Sequence, residues 1–302
     1  MRSAKAVLAL LVFLDLFLGL AGRAALAEPP LGAQGPEGEP NRGQPWRVPT
    51  PDRDISARAV LFRPPGDGPF RLALIAHATT QNVLRRAQMP QPEYRALAAF
   101  LVARGFAVLV PERLGHGATG GKYLEDQGGC DDADYAHAAR ATAEEIALPL
   151  EFLRAQSFIR KDGAVIVGHS AGGWGALALA DSDPRSISAI IAFAPGRGGH
   201  VNDVPDQVCA PHTLLAAAGE FGKAARVPLT WLVAANDTYF APDLSRRLAG
   251  AFRSAGGKVE FRALAPSGSE GHWLAETESG VAIATPELDR ALKLDMPTAR
   301  QR

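Results

Sequence analysis

Apolar positions follow two patterns along this chain, and together they predict a sheet flanked by helices. From residue 57 to residue 62 apolar and polar side chains alternate, as on a strand with one buried face. Six later stretches, most of them continuous apolar runs, are candidates for buried strands: 72–76, 106–110, 164–167, 187–193, 229–234 and 259–264. Helical spacing marks the stretches 94–104, 132–156, 172–180, 244–255 and 286–294. Strands that alternate with helices predict an α/β fold with a doubly wound, mostly parallel sheet.

The carboxyl edge of this predicted sheet is where we expect a ligand site. Right-handed crossovers place the carboxyl ends of parallel strands on one edge, and ligands bind at that edge in such sheets. Residues 195–226 form the longest stretch without a clear strand pattern. We predict that this stretch forms a short cap or loop region over the carboxyl edge.

The N-terminal residues have the pattern of a secretory signal peptide. Arg2 and Lys5 precede an apolar run over residues 6–20, and Ala25 and Ala27 supply small residues for cleavage after position 27. An uncleaved N-terminal anchor is the alternative. We therefore expect residues 1–27 to be removed and the mature chain to be secreted or periplasmic, without stable membrane association.

A stretch rich in glycine and proline separates this segment from the predicted sheet. Residues 28–54 show no apolar period, so we expect a linker there and a single α/β domain over residues 55–302.

Charge and cysteine content narrow the function classes. Lysine and arginine total 32, as do aspartate and glutamate, so no basic excess points to a nucleic-acid partner. The two cysteines are too few for a disulfide-scaffold fold. Export to an oxidising compartment favours a disulfide between Cys130 and Cys209, with two unrelated thiols as the alternative.

One short motif carries the strongest chemical signal. The sequence Gly168-His169-Ser170-Ala171-Gly172 follows the predicted strand 164–167 directly and opens a helix. Such a tight turn holds a serine in strained backbone geometry and lifts its hydroxyl clear of the sheet. The alternative is an ordinary glycine-rich turn. We predict that Ser170 is a catalytic nucleophile.

A nucleophilic serine needs a base, and the base needs an acid to orient it. His272 follows the predicted strand 259–264, and Asp237 follows the strand 229–234. Both therefore fall on the same sheet edge as Ser170, in the chain order serine, aspartate, histidine. We predict that His272 is the base and Asp237 the acid, with Asp203 or Asp206 as the alternative acid.

The developing oxyanion needs preorganised N–H donors. We expect one from the Ala171 amide and the other from Thr79, in the loop after the strand 72–76, with Ala78 as the alternative to Thr79. The side chains of His116, Tyr239 and Trp273 are candidates to line the pocket. The remaining histidines lack metal-ligand spacing and no phosphate-binding loop is apparent, so we expect neither a metal nor an organic cofactor.

From about residue 55 to residue 295 the chain resembles the α/β-hydrolase superfamily, within it the dienelactone-hydrolase-like and secreted serine esterase branch. The motifs that carry the resemblance are His77-Ala78-Thr79, the loop 111–117, Gly168-His169-Ser170-Ala171-Gly172, Ala235-Asn236-Asp237 and Gly271-His272. The chain departs from dienelactone hydrolases in having Ser170 rather than a cysteine, and from the usual oxyanion loop in having Ala78 after His77.

The resemblance implies hydrolysis of carboxylic esters through an acyl-serine intermediate, on a short-acyl or otherwise small-molecule ester. A peptidase or an acyltransferase on the same fold is the main alternative, because fold does not fix the substrate. A non-catalytic binding protein is the remaining alternative.

Overall fold

The computed structural model describes residues 30–294. The predicted signal peptide, residues 1–27, lies outside the described residues. Within the described range nine strands form one sheet. The strands are β1 Gly32–Ala33, β2 Gln44–Val48, β3 Ala57–Phe62, β4 Arg71–Ala76, β5 Phe106–Pro111, β6 Ala164–His169, β7 Ile187–Phe193, β8 Leu229–Ala234 and β9 Val259–Leu264.

The sheet is doubly wound and mostly parallel, which confirms the predicted fold class. Its strand order is β1-β2-β3-β5-β4-β6-β7-β8-β9. The pairs β1–β2, β2–β3 and β3–β5 are antiparallel, and every pair from β5 through β4 to β9 is parallel. The carboxyl ends of β4 to β9 therefore share one edge.

Seven α-helices lie within residues 30–294, and the last six of them cover the two faces of the sheet. They are α1 Val83–Ala87, α2 Arg95–Val102, α3 Tyr135–Arg154, α4 Ala171–Ala178, α5 Pro211–Lys223, α6 Pro242–Ser254 and α7 Glu278–Leu294. Within residues 30–294 no helix combines the length and the apolar character needed to cross a membrane.

Alternate residues of each central strand pack into two separate hydrophobic cores, one on each face of the sheet. In β4, Leu72, Leu74 and Ala76 join one core with residues of α3 to α6, whereas Ala73 and Ile75 join another with residues of α2 and α7. This division follows from the two-residue repeat of a strand, which sends successive side chains to opposite faces. It also explains why the central strands are apolar at nearly every position.

The predicted linker, residues 28–54, forms part of the sheet in its described portion, which begins at residue 30. It contributes β1 and β2 to the sheet, and β2 pairs with β3 over its whole length. Trp46 and Val48 are buried, and the Trp46 ring makes edge contacts with Phe152 and Phe158 at centroid distances of 6.4 and 6.0 Å. The two-residue alternation of β2 was not recognised in the sequence because the strand is short and contains a proline.

The region predicted as a cap divides into two parts. Its loop, up to residue 210, reaches the carboxyl edge of the sheet, and a 3₁₀ turn at Val201–Asp203 lies within it. Its second part is α5, whose Leu214 and Ala218 are fully buried in the core shared by α3 to α6. The helix α5 is therefore part of the layer that covers the sheet.

The disulfide between Cys130 and Cys209 is confirmed. The two Cα atoms lie 5.1 Å apart, and the bridge joins positions 79 residues apart in the chain. Cys209 is further held by its amide, which donates to the Gly198 carbonyl at 2.8 Å. The bridge therefore anchors the 195–210 loop to the segment that precedes α3.

Replacing both cysteines with serine is expected to lower the free energy of unfolding by about 2–4 kcal/mol, because the bridge restricts a long loop in the unfolded chain. Urea unfolding of the variant and of the oxidised wild type measures the difference. Wild type treated with reductant is the matched control and should unfold at the same urea concentration as the variant. Equal stability of oxidised and reduced protein would contradict this expectation.

Candidate active site

Ser170 occupies the sharp turn between β6 and α4. Its backbone has φ 53° and ψ −118°, a strained conformation for a residue with a side chain. Three backbone hydrogen bonds hold it there: its amide donates to the Phe193 carbonyl at 2.9 Å, and its carbonyl accepts from Trp174 at 2.8 Å and Gly196 at 3.2 Å. The Ser170 hydroxyl makes no hydrogen bond to any residue in the range 30–294.

The glycines on either side of Ser170 are required by close backbone approach. A Cβ on Gly172 would lie 2.2 Å from the carbonyl oxygen of Ala76, and one on Gly168 would lie 2.5 Å from the Cα of Gly173. Real Cβ atoms do not come this close to other backbone atoms. The spacing of the motif is therefore what allows α4 to pack against the end of β4.

His272 and Asp237 meet at the same edge of the sheet. Asp237 lies in the turn after β8, and His272 lies in a 3₁₀ helix, Gly271–Ala275, after β9. The Nδ1 atom of His272 is 3.1 Å from Oδ2 of Asp237. The other carboxylate oxygen of Asp237, Oδ1, accepts the amides of Tyr239 at 2.9 Å and Phe240 at 2.8 Å.

The two alternative acids do not pair with His272, although Asp203 lines the same cavity as Ser170. Asp203 is exposed and pairs with Arg85 at 3.4 Å, and Asp206 is exposed on the surface. Neither forms a hydrogen bond with His272.

Burial and mutual contact set the ionisation of the pair. Burial opposes the charged form of Asp237, yet the hydrogen bond from His272, its charge and the amides of Phe240 and Tyr239 hold the Asp237 pKa below its usual range. Burial also lowers the pKa of His272, against the opposing effect of Asp237. The resting pair is therefore a carboxylate beside a neutral imidazole whose Nδ1–H faces Asp237.

Two backbone amides near Ser170 are free to bind an anion. Ala171 is the first residue of α4, so its amide has no acceptor within the helix. The Thr79 amide has no hydrogen-bond partner within the described residues, whereas the Ala78 amide donates to the Tyr94 hydroxyl at 3.1 Å. Thr79 is therefore better placed than Ala78 to supply the second donor.

Two buried histidines fix the loop that carries Thr79. The Arg113 amide donates to Nε2 of His77 at 3.1 Å, so Nδ1 of His77 carries the proton and donates to the Ala78 carbonyl at 2.6 Å. His116 lies 2.5 Å from the Thr79 hydroxyl through its Nε2. Burial lowers the pKa of His116 to about 4, so it is neutral at physiological pH. His116 is completely buried behind Thr79 and does not line the cavity, contrary to the expectation from its loop position.

A buried ionic cluster also contacts the loop that carries Thr79. Glu125 accepts hydrogen bonds from both Arg113 and Arg197, and all three side chains are buried. Arg113 also donates to the His77 carbonyl at 2.9 Å. The two arginines hold the pKa of Glu125 well below its usual range, although burial acts against this. The cluster joins the loop after β4 to the loop after β7.

A second polar cluster connects the loop of Thr79 with the loop of His272. Nε2 of His169 donates to the His272 carbonyl at 2.7 Å. Its Nδ1 lies 3.0 Å from the Tyr94 hydroxyl and 3.1 Å from the Glu276 carboxylate. Since Tyr94 also accepts the Ala78 amide, this cluster ties both loops to the turn that holds Ser170.

Aromatic rings enclose His272. The Tyr239 ring stacks on the imidazole at a centroid distance of 4.3 Å, and His200 stacks on the far face of Tyr239 at 3.5 Å. The Trp273 ring meets His272 edge to face at 5.3 Å, and 39% of Trp273 is exposed. The His272 amide donates a hydrogen bond to the Glu270 carboxylate at 2.9 Å.

A cavity of about 440 Å³ brings most of the predicted site residues together. Its walls include Ser170, Ala171, Thr79, His272, Tyr239 and Trp273. Asp237 lies behind His272, as expected of an orienting group. Within residues 30–294 no group of three or more histidine, cysteine or acidic side chains has the geometry to hold a metal ion.

Solved structures share this architecture at low sequence identity. Est1E from Butyrivibrio proteoclasticus, solved with ferulic acid bound, aligns with a TM-score of 0.56 at 15% identity, over 82% of this chain and 98% of that one. The Pyrococcus furiosus esterase Pf2001 aligns with a TM-score of 0.56 at 14% identity, over 88% and 98%. A putative dienelactone hydrolase from Klebsiella pneumoniae aligns with a TM-score of 0.52 at 15% identity, over 83% and 97%. At these identities the likeness concerns the fold.

A family comparison covers most of the chain. No curated protein matches the sequence. The model of the alpha/beta hydrolase family matches residues 74–301, which include β5 to β9, Ser170, Asp237 and His272. Together with the sheet order, this match shows that the chain belongs to the alpha/beta hydrolase family.

Proposed function

We propose that this chain is a serine hydrolase that cleaves carboxylic esters through an acyl-serine intermediate at Ser170. The observation that carries the proposal is the 3.1 Å contact between His272 and Asp237, beside a strained serine in the wall of the same cavity. A serine, a base and an orienting acid in this arrangement are what acyl transfer requires.

Acylation begins when the Ser170 hydroxyl attacks the ester carbonyl and His272 Nε2 accepts its proton. The negative charge on the carbonyl oxygen is stabilised by the amides of Ala171 and Thr79. Asp237 stabilises the imidazolium that forms. The Ser170 hydroxyl makes no hydrogen bond to His272 in this structure. Such catalytic hydrogen bonds commonly form or shorten only when the substrate is bound.

The alcohol leaves when the C–O bond breaks and His272 returns the proton to the alkoxide oxygen. Water then enters the cavity, His272 accepts one of its protons, and the hydroxide attacks the acyl-serine carbonyl. The C–O bond to Ser170 breaks, the serine regains its proton from His272, and the carboxylic acid departs. His272 carries out every proton transfer in this cycle.

We propose short-acyl or otherwise small esters as substrates. A cavity of about 440 Å³ is at the lower end of the range for small-molecule sites. The ferulic acid in Est1E shows what a distant relative of this fold accommodates.

A panel of p-nitrophenyl acetate, butyrate and decanoate, with an aminoacyl p-nitroanilide beside them, tests the proposed reaction class. We expect turnover of the acetate and butyrate, weaker turnover of the decanoate and none of the anilide. Faster cleavage of the anilide would favour a peptidase. Product formation that requires an added alcohol would favour an acyltransferase.

The pH dependence of kcat/KM for p-nitrophenyl acetate should report His272. The base must be neutral to accept the serine proton, and burial lowers its pKa below the ordinary value of about 6.5. We therefore expect kcat/KM to fall as the pH drops, with a midpoint below about 6.5 and a plateau above it. The substrate does not titrate in this range. A midpoint above about 7 would contradict the assignment of a buried imidazole as the base.

We also propose that the chain is exported, with its signal peptide removed after Ala27. The disulfide between Cys130 and Cys209 supports this, since such bridges persist in oxidising compartments. N-terminal sequencing of the protein recovered from outside the cytoplasm should begin at Glu28.

A further inference from the structure

A second cavity, of about 510 Å³, adjoins the cavity of Ser170. The two share Ala78, Thr79, Thr80 and Trp273 in their walls. The far wall of the second cavity is the segment 89–95, which connects α1 to α2 and places Met89, Pro90 and Pro92 along it. The proposed mechanism leaves this cavity unused.

The charged side chains in the second cavity are paired with one another or with buried neighbours. Glu93 forms an ion pair with Arg95. Glu276 lies 3.1 Å from Nδ1 of His169 and accepts a hydrogen bond from the Tyr94 hydroxyl at 3.3 Å. Both ring nitrogens of His77 form hydrogen bonds with backbone groups. Part of the cavity wall is apolar, from Met89, Pro90, Pro92 and Trp273, and the charged side chains already have partners. The cavity therefore suits an uncharged group with an apolar surface.

The position of Trp273 indicates which part of an ester reaches this cavity. The leaving alcohol must lie next to His272, because the imidazole returns the proton to its oxygen. Trp273 follows His272 in the chain, contacts its ring at a centroid distance of 5.3 Å and lines both cavities. The acyl group belongs instead on the side of Ser170 and the loop at Gly196–His200, which line only the first cavity.

We propose that the second cavity binds the apolar alcohol arm of a neutral ester, which passes along the Trp273 indole while the acyl group lies beside Ser170. This inference rests on the proposed function and specifies its substrate. It assigns the two halves of the ester to two different cavities, so the enzyme should discriminate between isomeric esters that exchange those halves.

Benzyl acetate and methyl phenylacetate are such isomers, with methyl acetate as the reference that fills neither cavity. Met89→Trp places a large ring in the second cavity and is expected to lower kcat/KM for benzyl acetate by about tenfold or more. Its kcat/KM for methyl phenylacetate and methyl acetate should stay within about twofold of wild type. Gln91→Trp is a second blocking variant, in case Met89→Trp does not fold.

Leu84→Trp is the matched control, because Leu84 is 74% exposed and lines neither cavity. It should leave all three rates unchanged. Equal effects of Met89→Trp on both isomers, a selective loss on methyl phenylacetate, or no loss on benzyl acetate in either blocking variant would overturn the proposal.

The two proposals fail in different ways. If wild type hydrolyses none of these esters, or Ser170→Ala hydrolyses them equally well, the proposed function is wrong. Binding of benzyl alcohol, measured by saturation-transfer NMR, then decides the cavity assignment on its own. Binding to wild type that is lost in Met89→Trp supports the assignment, and equal binding or no binding overturns it.

Discussion

Replacing Ser170 with alanine is expected to lower kcat for p-nitrophenyl acetate by about 10⁵-fold or more, to the residual rate that bound substrate and oxyanion donors provide. The substitution removes the nucleophile itself. It removes no hydrogen bond among the described residues, because the Ser170 hydroxyl makes none there. The three backbone hydrogen bonds that hold the turn remain. The free energy of unfolding should therefore change by less than about 1 kcal/mol.

Ser188→Ala is the matched control for that change. Ser188 lies near the amino end of β7, at the opposite edge of the sheet from Ser170, and its hydroxyl donates to the Gly163 carbonyl at 3.1 Å. It should keep wild-type kcat and lose a little stability. An active, folded Ser170→Ala protein would end the proposal of an acyl-serine.

Replacing Asp237 with asparagine is expected to lower kcat by about 10⁴-fold. The amides of Tyr239 and Phe240 donate to one carboxylate oxygen, so the carbonyl oxygen of an asparagine will stay on that side. Its NH₂ group then faces Nδ1 of His272 and can only donate to it. The imidazole is thereby forced into the tautomer with its proton on Nε2, where it cannot accept the proton of Ser170.

Asp206→Asn is the control for this prediction, because Asp206 is exposed and was one of the two alternative acids. Its kcat should equal that of wild type. A large loss in Asp206→Asn together with normal activity in Asp237→Asn would reverse the assignment of the acid.

The parts of the fold that sequence reasoning predicted correctly are those with a local signal. Buried central strands are continuous apolar runs because both faces are covered, and each was predicted to within a residue or two. The turn at Ser170 was visible because two close backbone approaches, at Gly168 and Gly172, admit only glycine. The disulfide was predictable because the chain has a single possible pair of cysteines.

The parts that sequence reasoning missed have no local signal. The strand β2 is five residues long and includes Pro45, so its two buried apolar side chains, Trp46 and Val48, do not stand out. The cluster of Tyr94, His169 and Glu276 joins residues 75 and 182 positions apart along the chain. Its contacts depend on how the segments that carry Tyr94 and Glu276 pack against the end of β6. His116 shows the converse error, since a loop position at the correct edge did not reveal that the ring is buried behind Thr79.

Covalent labelling of the protein with a fluorophosphonate tests the central claim most directly. Such probes react with an activated serine hydroxyl, independently of which ester the enzyme prefers. The account predicts one adduct per chain by intact mass, located on Ser170 by peptide mapping, and none in Ser170→Ala. An adduct on another residue, or a folded wild-type protein that takes up no label, would contradict it.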